Sequence, residues 1–196
     1  MNYFPYEFKF VSILSDWALS GDTKFLTKIN SFFRKQWTPG LRYVMEKVEE
    51  ELCEYGLPRV ISVNVFNRPA HDEQIIHIDY LKLLNGTVIP TSVAYNIPII
   101  GNDSSIMRWW DGEYELVYFE KEQPPPLPRI STYRIKWITQ PLVVDELYIS
   151  KPHFVRIDQP HNVQIGNQDR ILISLRFESK VTIEEASECV GYTGYL

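Results

Sequence analysis

Residues 159–177 read QPHNVQIGNQDRILISLRF. Two β-branched, apolar-rich runs, Asn162–Ile165 and Arg170–Glu178, lie on either side of Gly166, Asn167 and Asp169. That is the pattern of strand, turn and strand. In the second run a period of two puts Arg170, Leu172, Ser174 and Arg176 on one face. The same reading extends upstream to Arg59–Phe66, Gln74–Tyr80, Thr91–Ile100, Ser104–Trp110, Tyr114–Glu120, Ser131–Ile138, Leu142–Ile149 and His153–Asp158. Most are short and separated by Pro, Gly, Asn or Asp. So many short strands predict two sheets packed together, as a jelly roll or distorted barrel.

Ahead of Pro58 the period is helical. Val11–Leu19 predicts a short helix closed by Gly21, and Asp22 is a candidate N-cap for a second helix over Thr23–Lys35. Leu41, Val44, Met45, Val48, Leu52 and Tyr55 recur at helical spacing, with Gly56 and Pro58 as the stop. The expected organisation is a single domain over residues 1–196. Residues 1–57 form a helical support, residues 58–180 a β core, and about 111–129 an insert. Within that insert Asp111–Glu122 predicts a solvated hairpin. The Pro-rich run Gln123–Pro128 reads as a rigid connection rather than a ligand for an aromatic groove.

Composition narrows the class. The chain has 196 residues, 44% hydrophobic and 23% charged, which is not the balance of a disordered chain. Thirteen prolines against nine glycines disfavour a mostly helical protein. A formal charge of −5 makes a nucleic-acid partner unexpected. Cys53 and Cys189 belong to no CxxC pair, so free thiols in a reducing, cytoplasmic setting are expected. The start MNYFPYEFKFVSILSDW lacks a basic n-region, and no apolar run approaches the ~20 residues that cross a bilayer.

The chemistry concentrates in IIHIDY, residues 75–80. His77 and Asp79 are two apart, so both point to one side of an extended chain while Ile76 and Ile78 point to the other. His161, far along the sequence, can complete a set of two imidazoles and one carboxylate. That donor set suits non-haem Fe(II) and leaves coordination positions open. An HxD pair alone also reads as an ordinary strand-end acceptor beside a structural histidine.

Order and context add a resemblance. HID at 77–79, the middle run SVAYNIPIIGNDSSIMRWW and the late run QPHNVQIGNQDRILISLRF resemble the Fe(II)- and 2-oxoglutarate-dependent oxygenases, nearest their prolyl- and aspartyl-hydroxylase-like branches. The likeness spans about Arg59 to Glu178. It implies a mainly β chain with N-terminal helices, built on a double-stranded β-helix of the jelly-roll, cupin-like type. It implies His77, Asp79 and His161 as the metal ligands and catalytic residues. It implies Arg170 as holder of the 2-oxoglutarate tail carboxylate, with Arg176 as its rival and Asn96 as a donor to the cosubstrate. Guanidinium suits that task independently, because its two-donor fork matches a carboxylate. The implied partners are molecular oxygen and a small-molecule or peptide substrate. Trp109 or Trp110 can line the pocket and His71 can touch substrate, while His71 and His153 are not assigned to metal. Two other readings compete. A cupin-like metalloenzyme that does not use 2-oxoglutarate needs a further histidine or glutamate, which IIHIDY lacks. A non-enzymatic β-sandwich binding module needs no metal.

Overall fold

The computed structural model describes residues 1–20, 29–82, 88–101, 103–121 and 130–194. In chain order the elements are Tyr3–Pro5 (β1), Val11–Leu19 (α1), Ile29–Phe33 (β2), Pro39–Glu54 (α2), Val60–Arg68 (β3), Tyr80–Lys82 (β4), Val88–Pro90 (β5) and Val93–Ile100 (β6). There follow Ile106–Asp111 (β7), Tyr114–Lys121 (β8), Ile130–Trp137 (β9), Leu142–Tyr148 (β10), His153–Arg156 (β11), His161–Gln164 (β12), Arg170–Phe177 (β13) and Ile183–Cys189 (α3). Antiparallel sheets dominate. Six strands run in the order β1-β11-β6-β13-β3-β2, and three in the order β10-β7-β12. β4 pairs with β5, and β8 with β9, as two separate ribbons. Among the described residues the two larger sheets share no hydrogen-bonded strand, so the arrangement is open rather than a closed barrel.

Strand alternation divides the core in two. Ile173, Leu175 and Phe177 of β13 join Val63 and Val65 of β3 and Val93, Tyr95 and Ile97 of β6 in one apolar cluster, under the helices. Leu172 and Ala94 face the other way, into a second cluster with Met107, Trp109, Ile149, Val155, Val163 and Ile165. That second face of the large sheet also carries buried polar side chains: Ser62, Asn64, Asn96, His153, Arg170, Ser174 and Arg176. Burying polar groups is costly unless they are partnered, so their concentration on one face marks a lined interior.

The helix α2 follows its pattern. Leu41, Val44, Met45, Val48 and Leu52 are buried, Thr38 accepts from the Leu41 N–H, and Pro39 occupies the first turn. Gly56, at φ +72°, lets the chain turn out after the helix. The helix predicted over Thr23–Lys35 is corrected. Ile29–Phe33 is a strand antiparallel to β3, and Arg34–Gln36 is a single 3-10 turn, while residues 21–28 lie outside the described set. Asn30 and Ser31 are poor helix interiors, and the open edge of β3 offers backbone partners that local propensity cannot anticipate. A strand over Gln74–Tyr80 is also corrected. That segment meets β12 through isolated bridges instead, His77 with His161 and, one residue before the segment, Glu73 with Gln164. Two elements were not anticipated. β1 adds an edge strand through Phe4, which is fully buried. α3 begins with a capping box between Thr182 and Glu185.

The hairpin predicted within Asp111–Glu122 is corrected: Tyr114–Lys121 is one continuous strand, β8, and it pairs with β9 beyond that stretch, from Tyr114↔Trp137 to Lys121↔Ile130. The Pro-rich run lies outside the described residues. Cys53 and Cys189 are free thiols. No described helix is long and apolar enough to cross a membrane.

His153 yields a pH test. It is buried, its ring approaches Tyr3 edge-on, and its Nδ1–H donates to the Lys151 carbonyl at 2.6 Å. Burial holds its pKa below the ordinary imidazole range, outweighing the Lys151 carbonyl. The unfolded chain therefore binds more protons at this site as pH falls. The stabilisation from neutral His153 is complete above about pH 6.5 and is lost below it. Thermal melts at pH 7.5 and pH 5.5 should show a smaller acid-induced drop in Tm for His153→Gln than for the unsubstituted protein. An equal drop would place the acid sensitivity elsewhere.

Candidate metal centre

His161 opens β12, and His77 lies beside it on the irregular segment that follows β3. The two residues exchange backbone hydrogen bonds, each N–H to the other's carbonyl at 2.9 Å. Two residues further on, the Asp79 N–H donates to the Ile157 carbonyl at 3.0 Å. These bonds fix where HID crosses the start of β12. Ile78 is buried between the two polar residues, as the alternation requires.

The side chains then converge. The His77 and His161 ring centroids are 4.5 Å apart, and His77 Nε2 lies 3.4 Å from Asp79 Oδ1. One ligand atom from each of His77, Asp79 and His161 falls within 4.8 Å of the others. Both imidazoles use Nδ1 in the same way, toward the Ile75 carbonyl and the Gln159 carbonyl respectively, each at 2.8 Å. A carbonyl only accepts, so Nδ1 carries a proton in both rings and Nε2 is the atom each neutral ring would present to a metal. Fixing the tautomer through the far nitrogen is how metal-binding histidines are commonly oriented. The donor set and the lone-pair directions therefore fit a divalent metal with open positions.

Electrostatics follow from packing. Burial opposes ionisation of Asp79, but the Arg176 guanidinium, with Nη2 2.6 Å from Oδ2, wins and holds the carboxyl well below the usual range. Burial, then the neighbouring His77, pushes the His161 pKa down to about 4. For His77 burial acts in the same direction, yet the Asp79 carboxylate outweighs it and the pKa rises.

Arg176 leads into a chain of polar contacts. Its Nη1 donates to Ser174 Oγ at 2.6 Å, and the Ser174 hydroxyl donates to Asn96 Oδ1 at 2.5 Å. Guanidinium can only donate, so the direction of this relay is set from the Arg176 end. The NH2 end of the Asn96 amide remains as a donor group. Asn96 and Ser174 are cross-strand partners, and His153 and Asn64 continue the same row on β11 and β3. Arg170 lies on the same face at the opposite end of β13 and is 3% exposed. Its register partner is Arg68. Burial, then the Arg68 charge, pushes its pKa down to about 10. Arg68 pairs with Asp72 at 3.0 Å, and its buried Nε has no hydrogen-bond partner among the described residues.

The remaining sequence candidates separate. Trp109 is fully buried, stacks on Tyr3 and donates to the Arg156 carbonyl. Trp110 donates from its indole to Asn162 Oδ1 and from its backbone to the Pro160 carbonyl, bracing the start of β12. His71 is exposed at φ 63° and lies outside the three-residue cluster, as does His153. Sequence reasoning missed Arg68 and the contact between Arg176 and Asp79. Position 68 carried a usable signal, since it continues the alternation of Ser62, Asn64 and Phe66 two residues past the strand read from the sequence. The ion pair carried none.

No family model matches the chain, and no curated protein matches it. Among solved structures it is distantly similar to a prolyl-4-hydroxylase from Pseudomonas putida. The identity is 8%, the coverage 91% of this chain and 93% of that one, and the TM-score 0.46. It is also similar to HygX from Streptomyces hygroscopicus, solved with iron bound (10% identity, 89% and 80% coverage, TM-score 0.41) and with nickel and 2-oxoglutarate bound (10% identity, the same coverage, TM-score 0.42).

Proposed function

We propose that this chain is an Fe(II)- and 2-oxoglutarate-dependent dioxygenase that hydroxylates a C–H bond of an amino-acid, peptide or small-molecule substrate. The observation that carries the reading is the convergence of His77, Asp79 and His161, with both imidazole rings oriented through Nδ1 by backbone carbonyls. Bound iron with its cosubstrate supplies oxidising power that no protein side chain has.

This chain's own residues orient and exclude. His77, Asp79 and His161 would hold the metal, three donors that leave coordination positions for cosubstrate and oxygen. The Arg176 guanidinium contacts Asp79 and Ser174 at the metal end, and the assignment of the far carboxylate of 2-oxoglutarate to Arg170 rests on its burial on the same face, at the opposite end of β13. Arg68 beside it adds positive charge at that end. Asn96 offers its amide N–H groups from the row between the two arginines. Leu172, Met107, Val163 and Ile165 close the interior with apolar surface, which strengthens these charged contacts by excluding water.

The test is a calorimetric titration of 2-oxoglutarate into anaerobic protein loaded with Fe(II) or Mn(II), beside a His77→Ala control. Saturable binding that requires the metal and vanishes in the control is expected. Folded, metal-loaded protein that does not bind 2-oxoglutarate would overturn the reading and favour a metalloenzyme of another kind.

A further inference from the structure

Asp79 is a divided carboxylate. Oδ1 faces His77 Nε2 at 3.4 Å, and Oδ2 is held by Arg176 at 2.6 Å. The Arg176 side chain is 9% exposed and is braced from the far side by Ser174. Its charge therefore sits against the only carboxylate of the three-residue cluster, where solvent screens it weakly.

The charges can be followed one addition at a time. Asp79 and Arg176 cancel, and each histidine would ligate a metal as a neutral imidazole. A divalent cation entering this site brings two positive charges that no anion of the cluster offsets. A chelating dianion restores neutrality. Without Arg176, the carboxylate would offset half of the cation's charge by itself.

We propose that Arg176 is a positioning residue that offers Asp79 to the metal through Oδ1 alone and makes metal capture conditional on a dianionic cosubstrate. This rests on the 2-oxoglutarate reading above and deepens it, since it states why metal and cosubstrate should be retained together. By linkage the same factor applies to each ligand's effect on the other.

The experiment is Mn(II) binding to the full chain, read from the EPR signal of free Mn(II), with and without saturating 2-oxoglutarate. It needs no turnover. In the unsubstituted protein 2-oxoglutarate is expected to tighten Mn(II) binding by about tenfold or more, given an unscreened unit charge beside the site. Arg176→Gln keeps an N–H for Asp79 but removes the charge. It should bind Mn(II) alone about tenfold more tightly than the unsubstituted protein, with the gain from 2-oxoglutarate reduced to about threefold or less. Arg176→Lys keeps the charge and should keep the coupling. Folded Arg176→Gln with undiminished coupling would overturn the proposal. If the Gln variant does not melt cooperatively, the Lys variant decides: retained coupling supports the charge argument and lost coupling overturns it. Unsubstituted protein that binds both Mn(II) and 2-oxoglutarate without coupling overturns the metal-dependent cosubstrate binding of the proposed function together with this inference, whereas undiminished coupling in folded Arg176→Gln overturns this inference alone. Protein that binds no Mn(II), or binds it but never binds 2-oxoglutarate, overturns the proposed function as well.

Discussion

Asp79→Ala is expected to weaken Mn(II) binding by about 100-fold or more, since it removes the only anionic ligand of the cluster. The same substitution should also lower stability without any metal present. It leaves the Arg176 guanidinium buried without its carboxylate, and breaking a buried pair from one side costs about 3–5 kcal/mol. Asp79 keeps 25% of its side-chain surface exposed, so water can reach the vacated space and the lower end, about 3 kcal/mol, is expected. For a chain of this length that is a fall of about 10 °C in Tm. Asp79→Asn separates the two effects. It should lose metal to a similar extent, but its amide oxygen still accepts from Arg176, so its Tm should fall less. Metal titration and thermal melting of the two variants check this, and unchanged Mn(II) affinity in Asp79→Ala would remove Asp79 from the ligand set.

Arg170→Gln is expected to weaken 2-oxoglutarate binding to the Mn(II)-loaded protein by about 100-fold. That corresponds to the roughly 2–3 kcal/mol of a buried charge-assisted contact. Mn(II) affinity in the absence of 2-oxoglutarate should stay within about threefold of the unsubstituted value, because Arg170 is not among the metal-binding atoms. Calorimetry with each ligand separates the two quantities. A loss of less than threefold in 2-oxoglutarate affinity would move the tail carboxylate away from Arg170. Arg68→Gln, which removes the cross-strand cation, should weaken 2-oxoglutarate in the same direction by a smaller factor.

Strand periodicity was the most legible feature of this chain. Arg170, Leu172, Ser174 and Arg176 do share one face, and the other face of β13 does pack under the helices. The apolar stripe of α2 and its stop at Gly56 were equally readable, whereas the Thr38 cap was not anticipated. The errors arose where a segment's partner, not its own pattern, chose the structure. Ile29–Phe33 carries a helical-looking apolar spacing, but it sits at the edge of β3 and completes that ladder. Gln74–Tyr80 alternates like a strand, yet its backbone bonds go to separate residues of β12 and to Ile157. α3 was missed although Thr182 and Glu185 spell its capping box.

The candidate site divides along the same line. His77 and Asp79 are neighbours in sequence, so their common direction follows from the alternation of an extended chain. The donor types themselves, two imidazoles and a carboxylate, are a matter of composition. Arg176 and Asp79 are 97 residues apart, and nothing in either local pattern pairs them. Their contact exists because the apolar faces of β13, β6 and β3 are buried under the helices, which turns the polar face of the large sheet toward the HID segment. By itself the sequence determined the periodicities and the ligand chemistry, since both are properties of residues a few positions apart. Only the tertiary structure decided which arginine meets the carboxylate and which stands beside Arg68, because strand order and register are set by burial over the whole sheet.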